Sequence, residues 1–244
     1  MKQGIFTITE NTPLTPAVYR MRLTGDISDI TAPGQFVNIK LNGLYLRRPI
    51  SVCDAQDGAL TLIYKAVGRG TEQMARMRAG DALDILTGLG NGYNLRESGS
   101  HPLLLGGGVG VPPLYMLAKR LIAEGKRVSV ILGFNTKNEV FYADEFRALG
   151  CDVTVTTADG SHGVRGFVTD ALPGEYTYFY TCGPEPMLKA VNRACQTSGQ
   201  FSLEERMGCG FGACMGCSVQ TADGPRRICK EGPVFRKEEL LWNA

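Results

Sequence analysis

Apolar and polar residues alternate along the first part of the chain, in short runs separated by turn residues. Such runs occur at Val18–Leu23, Gln35–Lys40 and Leu60–Lys65. Alternation with a period of two is typical of half-buried strands. One helix is expected at Thr71–Met77, with Thr71 as its cap. Many short strands at this spacing predict a small antiparallel barrel or sandwich over residues 5–95.

The pattern changes after a break near residues 97–100, where apolar runs begin to alternate with helical periodicity. The expected strands are Pro102–Gly106, Arg127–Gly133, Cys151–Thr157 and Thr177–Cys182. The expected helices are Pro112–Glu124, Tyr142–Leu149, Val168–Leu172 and Glu185–Ser198. Strands that alternate with crossover helices predict a doubly wound parallel sheet. We therefore expect three parts: a β-barrel over 1–97, an α/β domain over 98–200 and a cysteine-rich module over 201–244.

Composition narrows the class of protein. The 244 residues are 43% hydrophobic and 20% charged, which is ordinary for a globular chain, and the net charge is +2. A balance so close to neutral argues against binding to nucleic acid or to an anionic membrane. The first residues hold no apolar core of signal-peptide length. The uncharged run 98–118 has the length of a membrane span, but three consecutive glycines and two consecutive prolines in its middle predict a loop instead. We therefore expect a cytoplasmic protein with reduced thiols.

Four cysteines near the end of the chain carry the strongest chemical signal. Cys209, Cys214, Cys217 and Cys229 form a C-x4-C-x2-C-x11-C pattern with glycines between the first three. This is the plant-type ligand spacing of a [2Fe–2S] cluster, and glycine permits the backbone to wrap around it. Zinc would also accept four thiolates, and disulfides would need an oxidising compartment.

The remaining cysteines are scattered, and they are expected to be buried thiols. They are Cys53, Cys151, Cys182 and Cys195.

Two further motifs lie in the predicted barrel. Leu46–Ser51 reads Leu-Arg-Arg-Pro-Ile-Ser, expected at the end of a strand. Two cations beside a rigid proline and a hydroxyl suit a diphosphate and a flat ring, although such a pair is also common on a solvated face. Ile63–Thr71 runs from a strand through glycines into a helix start. Its free N–H groups favour an anion site, and a plain capped turn is the alternative.

Two motifs in the α/β part lie at carboxyl ends of predicted strands, where a doubly wound sheet binds nucleotides. Gly106–Pro113 reads Gly-Gly-Gly-Val-Gly-Val-Pro-Pro, which differs from the GxGxxG fingerprint because Pro112 takes the third glycine position. Thr181–Met187 contains Cys-Gly-Pro. Both loops belong to the same sheet edge, so they are expected to frame one ligand. Tight packing of the glycines and simple burial of Cys182 are the alternatives.

Taken together, these motifs resemble the ferredoxin-reductase superfamily, in which a flavin-binding barrel precedes a nicotinamide-binding domain. The cysteine tail followed by Lys230–Phe235 makes the chain similar to the family of electron-transfer subunits of bacterial NAD-dependent dihydroorotate dehydrogenases. The resemblance covers essentially the whole chain.

The resemblance implies roles for individual residues. FAD on the barrel would be lined by Arg48, Pro49, Ile50 and Ser51. The next strand and turn would add Ile63, Tyr64, Lys65, Gly70 and Thr71. Nicotinamide would lie on Gly107, Gly108 and Gly110, with Cys182 near the reacting rings. Ile50 stands where plant-type reductases carry tyrosine, so no aromatic stacks on the flavin there; whether Trp242 compensates is left open.

The resemblance also implies a path for electrons. Dihydroorotate is oxidised by a partner catalytic subunit that carries FMN, and the electrons pass through [2Fe–2S] and FAD to NAD⁺ in pyrimidine biosynthesis. A heterotetramer of two plus two chains is expected. NAD rather than NADP is implied by the resemblance alone; Phe134–Asn138 contains one lysine and no arginine, so no dedicated 2′-phosphate clamp is evident there. The two histidines, His101 and His162, lie in no recognisable acid–base arrangement, which suits hydride transfer by placement.

Two other functions remain compatible with the sequence. The first is the flavin subunit of a hydrogenase or of a ferredoxin:NAD(P)H oxidoreductase, which would share most motifs. The second is a zinc-stabilised binding module without turnover, for which metal analysis would find zinc and no flavin.

Overall fold

The computed structural model describes residues 1–242. Six antiparallel strands close into the barrel that the sequence predicts. The strands are β1 (Lys2–Pro13), β2 (Val18–Thr24), β3 (Phe36–Ile39), β4 (Arg48–Gln56), β5 (Ala59–Lys65) and β6 (Ala82–Leu89). They follow the order β1-β2-β5-β4-β3-β6 around the barrel. Alternate residues such as Phe6, Ile8, Met21 and Leu23 point inward and form its core.

Helix α1 (Arg69–Ala75) lies between β5 and β6 and begins earlier than the sequence predicts. Gly68 precedes it in an extended conformation, so Thr71 is not the cap but lies in the first turn. The Thr71 hydroxyl accepts hydrogen bonds from the backbone nitrogens of Val67 (3.0 Å) and Gly68 (3.3 Å). The prediction of Thr71 as the cap was therefore wrong, because its side chain reaches back to stabilise the turn before the helix.

The second part is a sheet with helices on both faces, as predicted. Its elements are β7 (Pro102–Gly107), α2 (Pro112–Ala123), β8 (Ser129–Phe134), α3 (Ala143–Ala148), β9 (Asp152–Thr157), β10 (Val164–Arg165), β11 (Tyr178–Cys182), α4 (Glu185–Ala194) and β12 (Gly199–Ser202). The tail contributes β13 (Ser218–Thr221), β14 (Gly224–Arg227) and β15 (Val234–Arg236). The sheet order is β10-β9-β8-β7-β11-β12-β15, with β15 antiparallel at the edge.

The end of the α/β part differs from the sequence prediction. Helix α4 ends at Ala194, four residues before the predicted Ser198, and β12 follows as a strand that the sequence analysis did not predict. Gly199 pairs with Phe179, whose ring lies where a Cβ would otherwise be. Strand β12 spans the expected limit between residues 200 and 201, and β15 joins the tail to the same sheet. The three-part division remains a prediction.

The two faces of the sheet pack against different parts of the chain. Leu104, Val130 and Tyr180 pack on one face with α2 and α3. Leu103 and Phe179 pack on the other face with α4 and with tail residues that include Cys217 and Cys229. The module that holds the four spaced cysteines therefore lies between the second face and the barrel. Within residues 1–242, none of the helices has the length and apolar content that a bilayer-spanning segment requires.

Candidate functional site

A cleft of about 940 Å³ lies between the barrel and the carboxyl edge of the sheet. The barrel contributes the turn 15–18 together with Phe36, Pro49, Ser51 and Lys65. The sheet contributes the loops that follow β7, β8, β11 and β12. Met207 and Pro233 of the tail complete the lining. A cleft shared by all three parts is large enough for flat aromatic cofactors.

The glycine loop and the Cys-Gly-Pro loop meet at the sheet edge, as the sequence predicts. A Cβ on Gly110 would lie closer than 3.0 Å to the backbone of Cys182 and 2.6 Å from the nitrogen of Gly183. A Cβ on Gly107 would contact Met187 and lie 3.1 Å from Pro184. Glycine is needed at position 110 because the backbones of the two loops approach so closely there, whereas the neighbours of Gly107 are side-chain atoms. The loop passes directly into α2, which begins with Pro112.

Cys182 is half-buried and lines the cleft. Burial raises the pKa of its thiol to about 12, and the nearby Glu204 carboxylate adds to the rise. The group is therefore a neutral thiol at physiological pH and is no thiolate nucleophile. Its side chain forms part of the cleft wall.

The Arg-Arg-Pro-Ile-Ser motif lies at the start of β4, not at the end of a strand as expected. Pro49 and Ser51 line the cleft, whereas Arg48 and Ile50 are half-buried beside it. Arg48 lies over the amino end of α1, because a Cβ on Gly70 would fall within 2.9 Å of its Cζ atom. The structure thus brings a guanidinium next to the first turn of α1, which suits a phosphate group.

Arg47 has a different role from its neighbour. Its guanidinium forms an ion pair with Asp84 (3.0 Å) and donates to the backbone oxygens of Asn38 and Asp84. These partners fix Arg47 across the barrel wall. Of the two cations, Arg48 is the one placed beside α1.

The residues predicted on β5 point in different directions. Lys65 lines the cleft. Tyr64 is buried in the barrel core, and its hydroxyl donates to Oδ1 of Asn11 (3.0 Å). Ile63 is buried between the barrel and α2. The side chains of Tyr64 and Ile63 are therefore packing residues, and only their backbone remains for a ligand.

The segment after β8 lines the far end of the cleft through Phe134, Asn135, Thr136, Asn138 and Glu139. One oxygen of Glu139 accepts hydrogen bonds from the backbone nitrogen (3.1 Å) and the amide (2.9 Å) of Asn135. A carboxylate in this position favours a ribose diol and repels a 2′-phosphate. The sequence analysis had not identified Glu139, although an acidic residue after the second strand of the sheet is a signal that could have found it.

Sequence reasoning also missed the turn 15–18, Phe36 and Met207, all of which line the cleft. No local motif marks these residues, because each reaches the cleft only through the closure of the barrel or the path of the tail. Trp242 is not among the cleft-lining residues, so it does not replace the aromatic side chain that plant-type reductases carry at the position of Ile50. It packs against Phe201 at 5.0 Å between ring centroids, in the core of the second sheet face.

The four spaced cysteines come together in two pairs. The backbone nitrogen of Cys214 lies 3.4 Å from Sγ of Cys209, and the nitrogen of Cys209 lies 3.4 Å from Sγ of Cys214. The nitrogen of Cys229 lies 3.5 Å from Sγ of Cys217. In the described part of the chain, no three acidic, histidine or cysteine side chains converge on one point as ligands of a single ion. A two-iron cluster needs two thiolates for each iron, and the pairs fit that requirement.

The pairs differ in their surroundings. Burial raises the pKa of Cys209, but backbone N–H groups of Phe211, Cys214 and Ala213 outweigh it and lower the value to about 6. Burial and the neighbouring Cys217 raise the pKa of Cys229 to about 12. N–H groups aimed at sulfur are the arrangement that stabilises a thiolate ligand. The Cys209 side of the module also reaches solvent, since Cys214 is exposed.

Comparisons with known proteins agree with this geometry. The model of the iron-sulfur cluster binding domain of dihydroorotate dehydrogenase B matches residues 204–241, and that of the oxidoreductase NAD-binding domain matches residues 104–193. The electron transfer subunit of dihydroorotate dehydrogenase B (NAD(+)) from Geobacillus sp. is 42% identical, over 99% of each chain. The subunit of the same description from Shouchella clausii is 43% identical, over 98% of each chain.

Solved structures show the same architecture. The NADH-dependent reduced ferredoxin-NADP oxidoreductase, described for flavin-based electron bifurcation, superposes with a TM-score of 0.89 at 31% identity. That match covers 97% of this chain and 90% of the other. The flavohem-like FAD/NAD binding domain of a Vibrio cholerae nitric oxide dioxygenase has a TM-score of 0.69 at 24% identity, over 78% of this chain and 91% of that one. The latter similarity is one of fold alone.

Proposed function

The chain belongs to the family of dihydroorotate dehydrogenase B (NAD(+)) electron transfer subunits, and on that basis we propose the path of its electrons. It is an oxidoreductase component that uses FAD, a [2Fe–2S] cluster and NAD. Electrons from dihydroorotate, taken up by a partner subunit with FMN, pass through the cluster and FAD to NAD⁺ in the cytoplasm, as a step of pyrimidine biosynthesis. Two copies of each chain form the assembly.

One observation carries the proposal: the barrel, the sheet edge and the cysteine tail all line the same cleft. NAD⁺ takes up electrons as hydride, whereas a [2Fe–2S] cluster passes them singly. A flavin between them exchanges electrons in either way. The three parts of the chain are therefore adjacent where such an exchange requires it.

The residues of the barrel fit FAD. Arg48 and the N–H groups of Gly70 and Thr71 in the first turn of α1 would hold the diphosphate, and the missing Cβ of Gly70 leaves room for the guanidinium. Pro49 and Ser51 would face the ring from the start of β4, with Lys65 beside them. Ile50 of β4 and the backbone of Ile63 and Tyr64 in β5 would contact FAD along the edges of these two strands.

The sheet edge fits NAD. Gly107, Gly108 and Gly110 allow the pyrophosphate to approach the backbone, and Glu139 would accept hydrogen bonds from the ribose. Cys182, as a neutral thiol, would help to hold the nicotinamide against the flavin without exchanging a proton. Placement of the two rings, rather than an acid or base, is what this wall supplies.

The tail fits the cluster through the cysteine pairs 209/214 and 217/229. Phe211 and Met215 lie within this loop and expose 42% and 53% of their surface. Exposed apolar side chains beside redox ligands are typical of a surface that a partner covers. We therefore assign the FMN-containing catalytic subunit to this surface.

Co-expression with an FMN-containing dihydroorotate dehydrogenase subunit tests the proposal. The purified assembly is expected to contain flavin, iron and sulfide and to reduce NAD⁺ when dihydroorotate is added. Phe211→Asp should abolish co-purification while NADH still reduces artificial acceptors, and Val164→Asp, at an exposed apolar residue of β10, is the matched control. A chain that reduces NAD⁺ with reduced ferredoxin but binds no dihydroorotate-oxidising protein would contradict the assignment.

A further inference from the structure

Asn38 is a polar residue in an apolar setting. It lies in β3 and exposes only 1% of its surface. Its neighbours Val37 and Ile39 point into the barrel core. Asn38 and Phe36 occupy the opposite face, and Phe36 packs with Cys217 and Cys229 of the tail. The outer face of β3 is therefore the surface on which the cysteine module rests.

The side chain of Asn38 holds the loop of the first cysteine. Its Nδ2 donates a hydrogen bond of 3.1 Å to the backbone oxygen of Cys209, a residue far away in sequence. Gly210 follows with a positive φ of 79°, and a Cβ there would collide with Nδ2 of Asn38. The loop is shaped to let this amide approach.

The backbone of Asn38 is fixed on the flavin side. Asn38 is opposite Pro49 in the β3–β4 pair. Its carbonyl oxygen also accepts a hydrogen bond of 3.2 Å from Arg47, which is in turn paired with Asp84. A single residue thus contacts the strand proposed to carry FAD and the loop proposed to carry the cluster.

The other half of the amide argues against a purely structural role. Within residues 1–242, Oδ1 of Asn38 is buried and accepts no hydrogen bond. A buried carbonyl without a partner destabilises a fold, and a leucine of similar size would avoid that cost.

Asn91 provides the comparison, because its amide is satisfied on both sides. Nδ2 of Asn91 donates to the oxygens of Glu231 (3.0 Å) and Val234 (2.7 Å). Its Oδ1 accepts from the nitrogens of Gly92 (2.8 Å) and Val234 (3.1 Å). Asn91 thus binds the part of the tail that follows Cys229, and its amide has all the hydrogen bonds expected of a structural residue.

We propose that Asn38 is the positioning residue for electron transfer between the cluster and FAD, an inference that rests on the function proposed above. Its amide fixes Cys209 against the flavin strand and provides a short connected route between them. Each reduced cluster gives up one electron, so two transfers and one proton from solvent supply what one hydride carries to NAD⁺. In the reverse direction, NADH would provide the pair as hydride; the cluster would hold one electron at a time, and the second would remain on FAD until the first has passed on to an acceptor.

The test follows two phases in the holoenzyme after rapid mixing with NADH: bleaching of FAD and then of the cluster. In Asn38→Leu, FAD bleaching keeps its wild-type rate, whereas the cluster phase slows at least about tenfold per loaded cluster. In Asn91→Ala, the melting temperature and the iron content fall, but the cluster phase of loaded molecules is unchanged. Gly210→Ala, which displaces the same amide from the other side, also slows the cluster phase.

The outcomes separate the two proposals. A wild-type cluster phase in Asn38→Leu, or equal slowing in Asn38→Leu and Asn91→Ala, overturns the role of Asn38. If Asn38→Leu fails to fold, Gly210→Ala decides by the same criterion. If NADH bleaches FAD but never the cluster in the wild-type protein, the proposed function itself fails.

Discussion

Replacing Gly110 with alanine tests the contact between the two loops of the nicotinamide site. The added Cβ would lie 2.6 Å from the nitrogen of Gly183 and closer than 3.0 Å to the carbonyl of Cys182. All these atoms belong to the backbone, so no side chain can rotate away. Since ordinary contact begins near 3.4 Å, the loops must separate by about 1 Å.

Two measurable effects follow from that separation. Overpacking of this kind costs about 1–3 kcal/mol of unfolding free energy. A shift of about 1 Å between reacting groups lowers a rate by about 10²-fold. Rapid mixing with NADH should therefore show flavin reduction about 10²-fold slower in Gly110→Ala, with FAD content unchanged because the barrel is untouched.

One control makes the comparison specific. A Cβ on Gly174 would meet no atom within 4 Å, so Gly174→Ala should keep the wild-type rate. Flavin reduction at the wild-type rate in Gly110→Ala would refute the claim that close approach of the loops places the nicotinamide.

Three further predictions concern the other parts of the site. Cys217→Ser should lose the electron paramagnetic resonance signal of the reduced cluster and keep FAD, whereas Cys151→Ser, at a buried cysteine outside the tail, should keep both. In cluster-free protein, alkylation at Cys209 should persist at pH 7 and fall as the pH drops through about 6, because the reactive thiolate predominates only above the pKa of the thiol. Burial raises the pKa of Cys151 to about 11, so Cys151 should resist alkylation at pH 7. Equal labelling of the two cysteines would contradict the lowered pKa of Cys209. Arg48→Ala should weaken FAD retention about tenfold, as expected for loss of a charge-assisted hydrogen bond. Arg47→Ala should lower the melting temperature and retain FAD, because Arg47 is paired within the barrel wall. The reverse result would assign phosphate binding to Arg47 and the structural role to Arg48.

The barrel and the parallel sheet could be predicted from the sequence because each rests on repeated local patterns. The fold class and the family were confirmed by the relatives and the solved structures. The cysteine spacing predicted the cluster because its ligands are close in sequence. The ligand residues themselves stay predictions, and the structure places Pro49, Ser51 and Lys65 in one cleft with the glycine loop.

The features that the sequence did not reveal depend on distant partners. Strand β15 has three residues, and its identity as a strand comes only from pairing with β12. Asn38 lies in a short strand where a lone polar residue has no recognisable pattern, and its partner Cys209 is far along the chain. Thr71 was placed wrongly because capping preference does not show which N–H groups a hydroxyl will reach.

The edge position of β15 has a consequence for how such a chain can be rebuilt or shortened. The cysteine module shares one apolar core with α4, the sheet and three barrel residues, so it is not an independent ferredoxin domain joined by a flexible linker. Cutting the chain before the first spaced cysteine would uncover Phe179 and Phe201 and leave β12 with a free edge, which invites aggregation. A soluble two-domain reductase cannot therefore be obtained from this chain by truncation alone; it would first need a new polar surface where the module now rests.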